Sequence, residues 1–162
     1  MKAICFVAHP DDCIIFCLPF IKAYEYNWTI VYLTYTETDA RAIEVRNFWN
    51  KRNIETVFLG FEDLKLYSDK NNIDFETAKA SINKYDADLI LTHGANGEYD
   101  HPHHVLCYNL VESFDCEKVY IADERNYNIV CNAVDVDVTE IPLHADAVKL
   151  HRRNVNRYSK VS

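Results

Sequence analysis

Short apolar runs alternate with segments of helical period along the chain, and that alternation limits what it can fold into. Residues 3–8 begin Ala3-Ile4-Cys5-Phe6-Val7, continuously apolar and so expected as a strand buried on both faces. Residues 29–35 are β-branched and aromatic and predict a second strand. Residues 55–59, closed by Gly60, predict a third, residues 88–92 a fourth and residues 118–122 a fifth. Residues 128–134 are a sixth candidate of open direction. Helices are expected over 13–26, 39–51, 74–85, from Pro102 onward and over 144–158. Pro19 predicts a kink in the first of them, whereas Pro102 sits at a first turn, where proline is tolerated. Strands alternating with helices make βαβ units. The expected class is therefore α/β: a mostly parallel sheet with right-handed crossovers, helices on both faces and three layers.

The 162 residues suit one domain, 1–162, large enough to bury a sizeable core. Only 3 glycines and 4 prolines leave little room for linkers or low-complexity tracts. The net charge of −8 argues against a nucleic-acid partner, because that affinity comes mainly from cations. Lys149, Arg152, Arg153, Arg157 and Lys160 form the one loose basic cluster, read as the solvated face of the last helix. No apolar stretch reaches the roughly 18–20 residues that span a membrane; the richest, 14–23, is interrupted by Pro19 and Lys22. The cysteines (Cys5, Cys13, Cys17, Cys107, Cys116, Cys131) show no CxxC spacing and no secretory signal precedes them. They read as reduced thiols of a cytoplasmic protein, mostly small buried hydrophobes. Oligomeric state is not legible.

Two stretches carry the chemistry. Ala8-His9-Pro10-Asp11-Asp12 follows the first strand, and His93-Gly94-Ala95-Asn96-Gly97-Glu98-Tyr99-Asp100-His101-Pro102-His103-His104 follows the fourth. The turn after the first strand is His-Pro-Asp-Asp rather than glycine-rich, so the sheet is Rossmann-like without the dinucleotide-binding turn, and a nicotinamide or flavin cofactor is excluded. Carboxyl ends of parallel strands are where open α/β sheets form sites. His9 and Asp12, three apart in a tight turn, can reach one ion, and His104 supplies a third ligand from the other loop. Such a His2Asp set leaves a position open, as a catalytic zinc requires, although other divalent ions also suit it. Asp11, adjacent to a ligand, is the natural general base. His101, one helical turn before His104, can meet an oxyanion or protonate a leaving amine. Taken singly, Asp11 or Asp12 also fits a helix cap, and His101 to His104 a surface loop. Their occurrence together at one sheet edge favours the metal site.

These residues resemble the LmbE-like, or PIG-L, family of zinc-dependent N-deacetylases. The family's Ala-His-Pro-Asp-Asp-Glu motif reads Ala8-His9-Pro10-Asp11-Asp12-Cys13 here. Its Gly-Glu-Tyr-like stretch followed by His-Pro-Asp-His reads Gly97-Glu98-Tyr99-Asp100-His101-Pro102-His103-His104. Thr38-Asp39-Ala40-Arg41 with Glu44, and Phe58-Leu59-Gly60-Phe61-Glu62-Asp63, resemble weaker intermediate motifs. The likeness runs over roughly residues 3–111. It implies zinc held by His9, Asp12 and His104, Asp11 as catalytic base and His101 facing the developing oxyanion. It makes Arg41 a candidate substrate contact, with a surface pair to Glu44 the equal alternative. Cys13 stands where the family has Glu and reads as a small space-filling residue. His103 stands where it has Asp, as an extra ligand or an exposed side chain. The chain is also short for the family.

The expected function is removal of an acetyl group from an N-acetylglucosamine-type sugar or conjugate, giving acetate and a free amine. Arg41, Asn96 and Tyr99 are candidate contacts to sugar hydroxyls. Two alternatives stay open: hydrolysis of another small acylated amide, such as a nucleoside, antibiotic or thiol conjugate, and a non-catalytic module that binds metal or carbohydrate.

Overall fold

Each of the five runs expected as strands before the C-terminal region forms one, and the strands lie side by side. A computed structural model describes residues 1–66 and 68–121. The order is β1 (Lys2–Val7), a π-helical turn (Cys13–Cys17), α1 (Leu18–Ala23), β2 (Asn27–Thr34), α2 (Ala40–Asn50) and β3 (Glu55–Phe61). There follow α3 (Phe75–Ile82), β4 (Leu89–Thr92), the short α4 (Gly97–Asp100), α5 (Pro102–Val111) and β5 (Glu117–Tyr120). The expected sixth strand, the helix over 144–158, the basic cluster and Cys131 lie outside the described residues.

The five strands run β3-β2-β1-β4-β5, and every neighbouring pair is parallel. The chain builds outward from β1 to β3, then crosses to the other side of β1 for β4 and β5. Strand order therefore reverses between β1 and β4, with Phe6 opposite Thr92 at the end of their ladder. In an open α/β sheet this reversal opens a crevice at the carboxyl ends, the usual place for a ligand. Both motif loops start there.

Successive strand residues point to opposite faces. Cys5, Val7, Ile30, Tyr32 and Leu91 pack with Phe20 of α1 and Val45 and Trp49 of α2 on one side. Ile4, Phe6, Val31, Leu33 and Ile90 pack with Ala78 and Ile82 of α3 and Leu106 and Leu110 of α5 on the other. The result is the expected three-layer sandwich. Trp49 shows how its polar atoms are satisfied: the ring is buried and its indole N–H donates to the Tyr32 hydroxyl at 3.0 Å. No helix of the described residues is long and apolar enough to cross a membrane.

The first helix departs from expectation. It is not one kinked helix over 13–26. Cys13–Cys17 forms a π-helical turn and α1 starts after it, with Pro19 in its first turn. Proline has no N–H to continue the ladder from the preceding turn, so the chain restarts instead of bending. Such π turns are frequent beside functional sites. Cys13 and Cys17 are buried with Cys5, and the Cys13 and Cys5 sulfurs are 3.5 Å apart. None of the described cysteines forms a disulfide. Cys13 fills core space beneath the β1 loop, as its size suggests.

Candidate metal centre

The β1 loop is pinned from both sides. The Thr34 amide and hydroxyl both donate to the Ala8 carbonyl, at 3.0 and 2.7 Å. The Ala8 amide donates to Nε2 of His93, at 3.1 Å. The chain then turns back on itself, with the Asp12 amide donating to the His9 carbonyl at 3.1 Å and the His9 amide to Asp12 Oδ2 at 2.8 Å. Asp12 makes no cap to the helical turn that follows. Its carboxylate instead faces the histidines.

The second loop places His101 at the N-cap of α5 and His104 one turn into it. Its path depends on three residues with positive φ, Gly97 at 56°, Glu98 at 60° and Asp100 at 63°. A Cβ on Gly97 would lie 3.0 Å from the His104 Cβ, so the loop packs directly onto the base of that side chain. Glu98 is a non-glycine residue held in a sparsely populated conformation, which structures retain where the surroundings over-determine it, often at functional sites.

Three donor atoms converge at the crevice. His9 Nδ1 lies 3.0 Å from Asp12 Oδ2, His104 Nε2 lies 3.2 Å from the same oxygen, and the two nitrogens are 3.3 Å apart. Donors bound about 2.0–2.1 Å from a tetrahedral zinc are roughly 3.3 Å from one another. The spacing of His9, Asp12 and His104 therefore fits one such ion.

Each imidazole is backed by a carboxylate, the arrangement that fixes the tautomer of a metal-binding histidine. Glu98 Oε2 lies 2.8 Å from His104 Nδ1 and 2.8 Å from His93 Nδ1. Its other oxygen accepts the Gly94 amide at 2.9 Å. His104 thus carries its proton on Nδ1 and turns a bare Nε2 inward. Behind His9, Asp63 Oδ1 is 3.1 Å from Nε2, close enough for attraction but off the line of a good hydrogen bond.

The charges agree with a site built for a cation. Burial favours the neutral His9 ring, but the Asp12 carboxylate outweighs it and raises His9 to about 9. Burial would push Asp12 up, yet His104 and His9 hold it well below the usual carboxylate range. Glu98 is likewise held at about 2 by His93 and His104 against burial. Glu98 and Asp12 alone would raise His93 to about 9 against burial. The Ala8 amide aimed at its Nε2 opposes that, because a doubly protonated ring has no lone pair to offer.

Asp11 does not stand apart. Its carboxylate is 3.0 Å from Arg41 Nη2, so Arg41 pairs with the expected base and not with Glu44. Burial and the neighbouring Asp12 raise the Asp11 carboxyl, against the pull of Arg41. Arg41 also donates to the Tyr35 hydroxyl at 2.6 Å, which in turn donates to Asp63 Oδ2 at 3.0 Å. His101 stacks on His104, ring centres 4.6 Å apart. Burial, reinforced by His9 and His104, drives it down to about 3, so the ring is neutral. Its Nδ1 accepts the His103 amide at 3.2 Å, which leaves its proton on Nε2.

The structure thus brings His9, Asp11, Asp12, Arg41, His101 and His104 together. Tyr99, 39% exposed, meets His104 edge-on with ring centres 5.1 Å apart. Asn96 lies exposed at the start of α4, and no described side-chain contact joins it to the cluster. His103, open between ligand and surface residue, is buried. Sequence reasoning gave no role to Glu98, His93 or Asp63. Glu98 and Asp63 lay inside the quoted motifs, but nothing in their spacing shows which imidazole each one backs.

Comparisons with known proteins identify the fold and the family. No curated protein matches the sequence. The fold is similar to the conserved protein TT1542 from Thermus thermophilus, at 15% identity and a TM-score of 0.57, covering 98% of this chain and 85% of that one. It is also similar to Dbv21, described as an antimicrobial reagent A40926 pseudoaglycone deacetylase, at 14% identity and a TM-score of 0.51, covering 98% and 81%. The family model for PIG-L, described as GlcNAc-PI de-N-acetylase, matches residues 4–114, which hold both motif loops, and the chain belongs to that family.

Proposed function

We propose that this protein is a metal-dependent N-deacetylase that hydrolyses the acetamide of an N-acetylglucosamine-type substrate to acetate and the free amine. The observation that carries the reading is the convergence of His9 Nδ1, Asp12 Oδ2 and His104 Nε2 within 3.3 Å of one another, with Asp11 in the same turn. The family and the description of Dbv21 as a deacetylase favour amide hydrolysis. The unpaired thiols favour the cytoplasm as its place of action.

His9, Asp12 and His104 would hold a divalent ion, with zinc suited to this donor set. When bound, such an ion supplies Lewis acidity and lowers the pKa of water to around 7. Asp11 takes the proton of the attacking water. Burial and Asp12 raise its proton affinity, and Arg41 holds its orientation. His101 presents its Nε2–H to the oxygen on which negative charge develops, a neutral donor already fixed by the His103 amide. The proton held by Asp11 then passes to the departing nitrogen. Tyr99 and Arg41 reach solvent beside these groups and contact the sugar. Asn96, further out on the same loop, is a contact only for a larger substrate.

The test is acetate release from N-acetylglucosamine, its conjugates and a panel of other acylated amides by zinc-loaded protein, alongside Asp11→Asn. Release by the parent and not by the variant is the expected result, and the panel ranks the substrates. Full activity in a zinc-loaded Asp11→Asn protein overturns the mechanism. Tight sugar binding without turnover of any amide replaces it with a binding role.

A further inference from the structure

His103 presents an unmet chemical demand that the first ion leaves untouched. The Asn72 side chain donates its Nδ2 to the Glu62 carbonyl at 3.0 Å, which fixes the amide with Oδ1 toward His103. That oxygen is 2.8 Å from His103 Nε2 and must accept from it. The proton of a neutral His103 ring therefore sits on Nε2, and Nδ1 is a bare lone pair. This Nδ1 is fully buried and has no hydrogen-bond partner. The nearest charged atom is Asp63 Oδ1, at 3.6 Å. A lone pair facing a carboxylate oxygen needs positive charge between them.

His9 contributes a second unmatched atom to the same place. Its Nε2, on the ring edge opposite the first site, is buried and without an aligned hydrogen bond, 3.1 Å from the same Asp63 oxygen. His9, His101 and His103 each offer a nitrogen within 4.8 Å of the others. His101 is not available as a ligand, since its Nδ1 already takes the His103 amide. Asp63 is held by two further donors, the Leu64 amide on Oδ1 at 2.7 Å and the Tyr35 hydroxyl on Oδ2 at 3.0 Å. Its side chain is 29% exposed, so the place is reachable from solvent.

We propose that this chain binds a second divalent ion between His9 Nε2, His103 Nδ1 and Asp63 Oδ1. Two imidazoles and one carboxylate suit zinc or a neighbouring late transition ion, not magnesium or calcium, which prefer all-oxygen surroundings. His9 bridges the two ions through its two nitrogens. On binding the second ion its ring releases the Nε2 proton to solvent, and lone pairs of His9 Nε2, His103 Nδ1 and Asp63 Oδ1 form the new coordination bonds. The substitution of His for the family's Asp at position 103 supplies the nitrogen that makes the second set.

Counting zinc on the intact protein by native mass spectrometry tests this without reference to activity. The parent chain, dialysed against excess zinc, is expected to carry two ions. His103→Asn is expected to carry one. Asp63→Asn, a second variant should His103→Asn fail to fold, is also expected to carry one. One zinc on the parent, or two on a folded His103→Asn chain, overturns the proposal. His104→Gln separates the two sites: it is expected to lose the first ion and keep the second. A His104→Gln chain that still holds two ions counts against the first site, while one zinc on His103→Asn still supports the second.

Discussion

His9 and His104, the two histidines closest to Asp12, sit in unlike halves of one site. His104 belongs to a sealed half: its side chain and that of His93 have no exposure, and Glu98 between them is 10% exposed. Glu98 is gripped at both oxygens, by the two rings and by the Gly94 amide. His9 belongs to an open half. Asp63 behind it is 29% exposed and Asp11 beside it 16%, and both connect to Arg41, directly or through Tyr35. The sealed half fixes geometry, because its hydrogen bonds are dry and fully matched. The open half is where the proposed chemistry would take place, because a base and a substrate contact must both reach water and ligand.

The sharpest way to break that division is Asp11→Asn. Amide hydrolysis is expected to fall by about 10²–10⁴-fold, the usual worth of a general base. Zinc content, measured by atomic absorption, is expected to stay at the parent level. Loss of zinc along with activity would make Asp11 part of the ligand set and dissolve the distinction. Next comes Glu98→Gln, which leaves His104 without its charged partner. Zinc affinity, by competition with a chromophoric chelator, is expected to drop by about 10–100-fold. Asp63→Asn should cost less at the first site, about tenfold, since that contact is wetter and poorly aligned. If Asp63→Asn weakens zinc there more than Glu98→Gln does, the sealed half is not the one that sets the geometry.

Smaller effects refine the picture. Arg41→Met is expected to lower kcat by about tenfold with KM nearly unchanged if Arg41 chiefly orients Asp11, because that contact acts in the transition state and not in ground-state binding. A rise in KM at constant kcat would assign Arg41 to the sugar instead. Gly97→Ala forces a side chain onto a left-handed residue already 3.0 Å from His104 at the Cβ position. It is expected to destabilise the fold by about 1 kcal/mol or more, read as a lower Tm. Zinc should raise that Tm less than it raises the parent's, because the shift falls on His104.

How much of this was legible beforehand depends on how local the information was. Strands β1, β2 and β4 follow from apolar runs, because a strand buried on both faces has few polar positions; the edge strands β3 and β5, only partly buried, follow from short runs of β-branched and aromatic residues. The helix over 13–26 misled, since apolar period alone does not register that Pro19 resets the hydrogen-bond ladder. The closeness of His9, Asp12 and His104 was legible because two fall in one four-residue turn and the third sits two residues after a proline that starts a helix. Their partners were not. The pairing of Arg41 with Asp11, in place of Glu44 on its own helix, spans 30 positions and depends on where α2 comes to rest beside β1.

The sequence by itself determined an α/β sandwich and the two His- and Asp-rich loops that meet at one sheet edge. Periodicity and short-range spacing fix these, and both survive without long-range contacts. Only the tertiary structure decided which carboxylate stands behind which imidazole. Glu98 backs His104 and His93, Asp63 backs His9, and Asn72, 31 residues from His103, fixes its tautomer. A tautomer is set by whichever donor or acceptor lies within about 3 Å of the ring, and those neighbours come from loops that meet only when the sheet has formed.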